Sequence, residues 1–82
     1  MNDKKLIQTS DLTLASTLLC YGHDVIGINS ENPKRVFFYF LDTPELTGAI
    51  KSYWNDQLKV SPRVLSSNRK LLLNRIFQGG LQ

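Results

Sequence analysis

Arg35-Val36-Phe37-Phe38-Tyr39-Phe40-Leu41 is the stretch from which the fold is read. Its period of two places Val36, Phe38 and Phe40 on one side of a strand, and Arg35, Phe37, Tyr39 and Leu41 on the other. Both sides are apolar. The spacing therefore predicts a strand covered on both faces, by helices on one and by a helix or a partner chain on the other. Immediately before it, Asn29-Ser30-Glu31-Asn32-Pro33 is turn chemistry: proline fixes φ, while Asn and Ser side chains bond to their own backbone. Asp24 to Asn29 precedes the turn and holds Val25, Ile26 and Ile28, so it reads as the other strand of an antiparallel hairpin.

Helices flank the hairpin. Thr9, Ser10 and Asp11 offer oxygens to unpaired N–H groups and predict a helix start. Leu12, Ala15 and Leu19 form its stripe, Leu14 and Leu18 widen it, and Gly22 ends it. Thr43-Pro44-Glu45 is a second start. Leu46, Ala49, Ile50, Tyr53 and Trp54 follow at i, i+3, i+4, i+7 and i+8. Gln57 to Val60 alternates and reads as a short third strand. Ser61-Pro62 opens a third helix with Leu65, Leu72 and Ile76 along its centre and Val64 and Leu73 beside them. Gly79-Gly80 closes it. The fold class is α+β, an antiparallel hairpin with a short third strand packed with three helices, in the order α-β-β-α-(β)-α. Residues 1–8 read as a flexible arm with Leu6 and Ile7 docked on the body, residues 9–78 as a single domain, and residues 79–82 as a frayed end.

Eighty-two residues make one domain that buries about 60% of its unfolded surface, which leaves little room for a deep pocket. The one cysteine, Cys20, has no internal disulfide partner, and a lone thiol suits a reducing compartment. The polar start at Met1 to Lys5 does not resemble a signal peptide. The longest apolar run, Val36 to Leu41, is far too short to span a bilayer. A cytoplasmic, soluble chain is expected.

The net charge is +3, unevenly spread. Residues 1–56 carry seven acids and five bases. Residues 57–82 carry Lys59, Arg63, Arg69, Lys70 and Arg75 and no acid. This asymmetry points to an acidic partner, with nucleic acid foremost. Arg63, Lys70 and Asn74 project away from the apolar stripe of the third helix, with Ser66 and Ser67 between them and Arg69 and Arg75 at its flanks. Hydroxyls among bases suit phosphate contacts. The plain alternative is a solvated helix face whose charges pair with the acidic remainder. Helix-turn-helix geometry fits poorly, because Asn55 to Ser61 is too long for the usual turn. Lys34 and Arg35 ahead of Phe37 and Tyr39 resemble one strand of an RNA-reading sheet, but the glycines of that pattern are absent, and core or dimer burial is the simpler account.

Other candidate chemistry resolves into structure. Cys20 and His23 sit three apart beside Asp24, but zinc needs a second pair and the chain has no further Cys or His. A buried thiol and a capping histidine explain them. Asp42 and Glu45 belong to a helix start. Tyr53 and Trp54 end a helical stripe, and helical spacing favours core packing over base stacking. No catalytic, cofactor or metal residue is expected, and no small-molecule substrate.

Three stretches stand together: Thr9-Ser10-Asp11-Leu12 with Leu14-Ala15 and a closing Gly22-His23; Arg35 to Phe40; and Tyr53-Trp54-Asn55 with Leu58-Lys59-Val60. In this order the chain resembles a small prokaryotic and phage-borne domain family of uncharacterised function, over about residues 8–77. That family commonly has glycine after the Trp-Asn pair, where this chain has Asp56. The resemblance supports the fold and implies no activity. Its association with mobile elements favours a DNA- or RNA-related role. The alternative to a nucleic-acid module is a protein-interaction or homo-oligomeric one, in which a second chain completes the strand at residues 35–41.

Overall fold

The computed structural model describes the backbone of residues 5–80 and the side chains of residues 5–77. The elements in chain order are β1 (Leu6–Thr9), α1 (Leu12–Cys20), β2 (Gly27–Asn29), β3 (Phe37–Leu41), α2 (Pro44–Trp54) and α3 (Pro62–Gly80). The strands form one antiparallel sheet in the order β1-β3-β2. The α+β class, the hairpin and the three helices are as the sequence predicts. Of the expected arm, residues 1–4 lie outside the described residues, as do 81–82 of the expected frayed end. Both glycines expected to close α3 lie within the helix instead.

Caps and turns form where the side chains dictate. The Asp11 carboxylate accepts from the backbone N–H groups of Thr13 (2.9 Å) and Leu14 (3.1 Å), two donors that the first helical turn leaves unpaired. Thr43 Oγ1 accepts from the Leu46 N–H at 3.0 Å, with Pro44 in the first turn. In the hairpin turn, Asn29 Oδ1 accepts from the Glu31 N–H and Asn32 Oδ1 from the Lys34 N–H.

The ends of α1 and α2 repeat one motif. The N–H of Gly22 bonds to the Leu19 carbonyl and that of His23 to the Leu18 carbonyl. The N–H of Asp56 bonds to the Tyr53 carbonyl and that of Gln57 to the Ser52 carbonyl. These are the paired bonds of a Schellman cap, which needs a left-handed residue at its centre. Gly22 supplies it at φ 85°. Asp56 supplies it at φ 56°.

α1 is the centre of the molecule. Leu14, Ala15, Ser16, Thr17 and Leu18 are consecutive and all buried, so this helix is enclosed around its whole circumference. The two hydroxyls bond within the helix, Ser16 to the Leu12 carbonyl (2.7 Å) and Thr17 to the Thr13 carbonyl (2.8 Å). Neither hydroxyl is therefore buried without a partner. Leu72 of α3, Leu46 of α2 and Phe38 and Phe40 of β3 close the core around it.

The third strand is not where the alternation predicts. Gln57 to Val60 has no strand partner. Instead the Tyr21 hydroxyl donates to the Lys59 carbonyl (2.5 Å) and accepts from the Lys59 N–H (3.0 Å). One phenol thus satisfies the backbone that a neighbouring strand would otherwise pair. The third strand is β1, drawn from the expected arm. Ile7 lies opposite Phe40 and Thr9 opposite Phe38. A four-residue segment carries too little alternation to announce itself. β3, with an apolar core face and a free edge, supplies the reason to pair. Within the chain, the helices cover one sheet face and not the other. Phe38 and Phe40 are buried under the helices, whereas Leu6 and Leu41 of the opposite face are 55% and 38% exposed.

Two outcomes follow for urea unfolding. A chain shortened to residues 10–82 loses β1 and is expected to lose more than about 2 kcal/mol; an unchanged midpoint would return these residues to an arm. Asp56→Gly relieves the left-handed penalty and is expected to stabilise by roughly 0.5–1 kcal/mol after the added chain entropy; a lower midpoint contradicts the cap.

Candidate nucleic-acid interface

The seven cations singled out by the sequence fall on α3, on the segment before it and at the hairpin turn. On α3, Arg63 and Lys70 are seven residues apart and share an outward face opposite buried Leu72, with Ser67 and Asn74 between and beyond them. Helical rise separates their Cα atoms by about 10 Å. Arg69 lies on one flank, lining a groove of about 240 Å³ with Thr13, Ser16 and Ser66. Arg75 lies on the other flank and is engaged: its guanidinium donates to the Val25 carbonyl at 3.2 Å. Lys59 sits exposed in the segment pinned by Tyr21. Lys34 and Arg35 belong to the hairpin turn and line a groove of about 440 Å³ with Ser10, Pro33 and Ile76. Glu31 shares that turn. Among the described residues, no ion pair within 4.0 Å joins any of these cations to an acid.

The second face of the sheet, which the sequence left open between a stacking face and burial, is not covered by the helices. Residues directly opposite across strands point the same way. The register therefore gathers Leu6 and Gln8 of β1, Phe37, Tyr39 and Leu41 of β3, and Gly27 and Asn29 of β2. No acid stands among them. Phe37 and Tyr39 are half-buried, and the Arg35 guanidinium lies 5.4 Å from the Phe37 ring centroid, within cation–π range. Gly27 faces Tyr39, so the ring has no side chain beside it there; a Cβ at Gly27 would stand 3.7 Å from its Cδ2. The signals of this face in the sequence were the strand's doubly apolar pattern and the Lys34-Arg35 pair ahead of Phe37 and Tyr39.

Trp54 is not core, contrary to its helical spacing. It is 63% exposed and packs edge-on to Tyr53, with ring centroids 5.0 Å apart. The two rings line a groove of about 350 Å³ with Thr13, Thr17, Asp56 and Leu58. The setting is acidic. Burial first, then the charges of Asp11 and Asp56, hold the Tyr53 hydroxyl above the ordinary tyrosine range. A phosphate chain is poorly served by such a groove. Cys20 and His23 are half-buried, and Cys20 Sγ accepts from the Asn68 amide at 3.1 Å. Among the described residues, no cluster of three metal-binding side chains exists, and no helix is long and apolar enough to cross a membrane.

The raised hydroxyl has a stability consequence. A folded pKa above the unfolded value of 10.0 favours the native state below that value, and this contribution is lost as pH rises through the folded pKa. Asp56→Asn removes one of the causes. Its tyrosine ionisation, followed by ultraviolet absorbance, is expected to lose part of its most alkaline phase, and an unchanged curve would exclude Asp56 as a cause.

Comparison with curated proteins gives no match, and neither does comparison with solved structures. A family profile matches residues 4–77, nearly the whole described chain with its caps, sheet and core. The chain belongs to the family described as Domain of unknown function (DUF5659).

Proposed function

We propose that this domain is a small non-enzymatic binding module that contacts nucleic acid through the basic face of α3. The observation that carries the reading is the state of Arg63 and Lys70. Both are exposed on one helix face with Ser67 and Asn74, and neither is ion-paired within 4.0 Å among the described residues. Arg69 extends the surface on one flank. Arg75, spent on the Val25 carbonyl, serves chiefly to fasten α3. Contacts of this kind neutralise phosphates without reading bases, so affinity is mostly independent of sequence and falls as salt rises. A prokaryotic or phage-borne chain working in the cytoplasm suits such a role.

The alternative is a homo-oligomeric or protein-interaction module in which a second chain completes the sheet. The uncovered Leu6 and Leu41 favour it. Apolar association persists or strengthens in sulfate, whereas phosphate contacts weaken.

The test is fluorescence anisotropy of labelled single- and double-stranded oligonucleotides across a salt series. Binding at low salt is expected. Arg63→Ala combined with Lys70→Ala is expected to weaken every oligonucleotide alike and to flatten the log–log salt slope by about two. Absence of binding at low salt, or an unchanged slope in the double variant, overturns the proposal.

A further inference from the structure

We infer that the uncovered sheet face is a stacking platform for unpaired bases, with Tyr39 and Phe37 as the rings and Arg35 as the phosphate contact at its end. The inference takes its class of partner from the nucleic-acid reading above, but it concerns a different surface from α3.

The geometry suits a flat aromatic guest. Tyr39 and Phe37 are two residues apart on the central strand and point outward together. The helix layer packs only on the other face, around Phe38 and Phe40. Gly27 leaves the space beside Tyr39 free of any side chain, and a base has a π-face on either side to use there. Arg35 already lies against Phe37 at 5.4 Å. A guanidinium in that position keeps N–H groups for a phosphate oxygen.

Charge sets the direction. The platform itself holds one cation and no acid, and Lys34 adjoins Arg35 at the hairpin end, against Glu31 in the same turn. Asp24 and Asp42 flank the opposite end. A strand laid on the face would keep its phosphates toward Arg35 and its bases on the rings. Trp54, although more exposed, shares its groove with Asp56 and is the poorer platform.

Area argues against a second copy of the chain as occupant. Three strands of three to five residues project roughly 250 Å² at ordinary strand spacing and rise. A standard interface takes about 800 Å² from each partner. The face is also broken by Gln8, Asn29 and Arg35. One or two bases fit that footprint, and a stable dimer does not.

The experiment compares labelled oligothymidylate with a labelled duplex of equal length at low salt. Wild type is expected to prefer the single strand. Tyr39→Ala is expected to weaken single-strand binding about tenfold and to leave duplex binding unchanged. Gly27→Val guards against a folding defect, because a Cβ at Gly27 meets nothing closer than 3.7 Å and a branched residue suits a strand. It should cover the Tyr39 ring, keep the thermal unfolding profile, and weaken the single strand in the same way. Wild-type affinity in both variants overturns the platform. So does a concentration-dependent dimer that Tyr39→Ala dissolves, which would assign the face to a second copy. If only the Arg63 and Lys70 substitutions matter, the platform falls and the α3 reading stands. If only the Tyr39 and Gly27 substitutions matter, the reverse holds. No binding of either oligonucleotide removes both.

Discussion

Enclosure of α1 is the constraint from which the rest of the structure follows. Five consecutive buried residues, Leu14 to Leu18, require partners on every side of one helix. A chain this short has few elements to supply them. The sheet takes one side through Phe38 and Phe40, and α2 and α3 contribute Leu46 and Leu72. All three helices are thereby committed to the same face of the sheet. The Ser16 and Thr17 hydroxyls enter the enclosure hydrogen-bonded, each to a carbonyl of its own helix. Once the helices are used in this way, none of the described elements remains to cover the outward face of β3.

The connections are set by helix ends more than by loop composition. Gly22 and Asp56 occupy the same position in the same cap, and each turns the chain sharply out of its helix. The turn at Gly22 brings His23 to Val25 toward the sheet, where the Val25 carbonyl receives Arg75. The turn at Asp56 sends Leu58 to Val60 past the end of α1, where the Tyr21 hydroxyl holds Lys59 from both sides. Each bond joins segments far apart in sequence, Val25 with Arg75 and Tyr21 with Lys59. Together they fasten both ends of α3, a helix that otherwise rests mainly on α1.

This arrangement divides the surface by character. The outward face of α3 is basic and hydroxyl-bearing, the outward sheet face is aromatic and acid-free, and the groove at Tyr53 and Trp54 is aromatic and acidic. Phosphate chemistry suits the first, unpaired bases the second, and neither suits the third. A domain with so small a core has little room for an enclosed pocket. Cation placement follows the same logic. Arg75 is drawn into the architecture, whereas Arg63 and Lys70 sit where helical geometry leaves them in water.

By itself the sequence determined most of the local structure. Alternation in β3, the Asp11 and Thr43 caps, the Asn29 and Asn32 turn and the Gly22 stop all depend on residues within a few positions of one another. Their physics is complete without the rest of the chain. The surplus of positive charge in α3 is likewise a property of the string of residues. Only tertiary structure decided that Leu6–Thr9 pairs with β3, that Gln57 to Val60 is held by a phenol and not by a strand, that Trp54 lies outside, and that one apolar sheet face stays open. Each of these turns on competition between distant partners for the same hydrogen bonds or the same buried area. The winner depends on which surfaces α1 has already claimed.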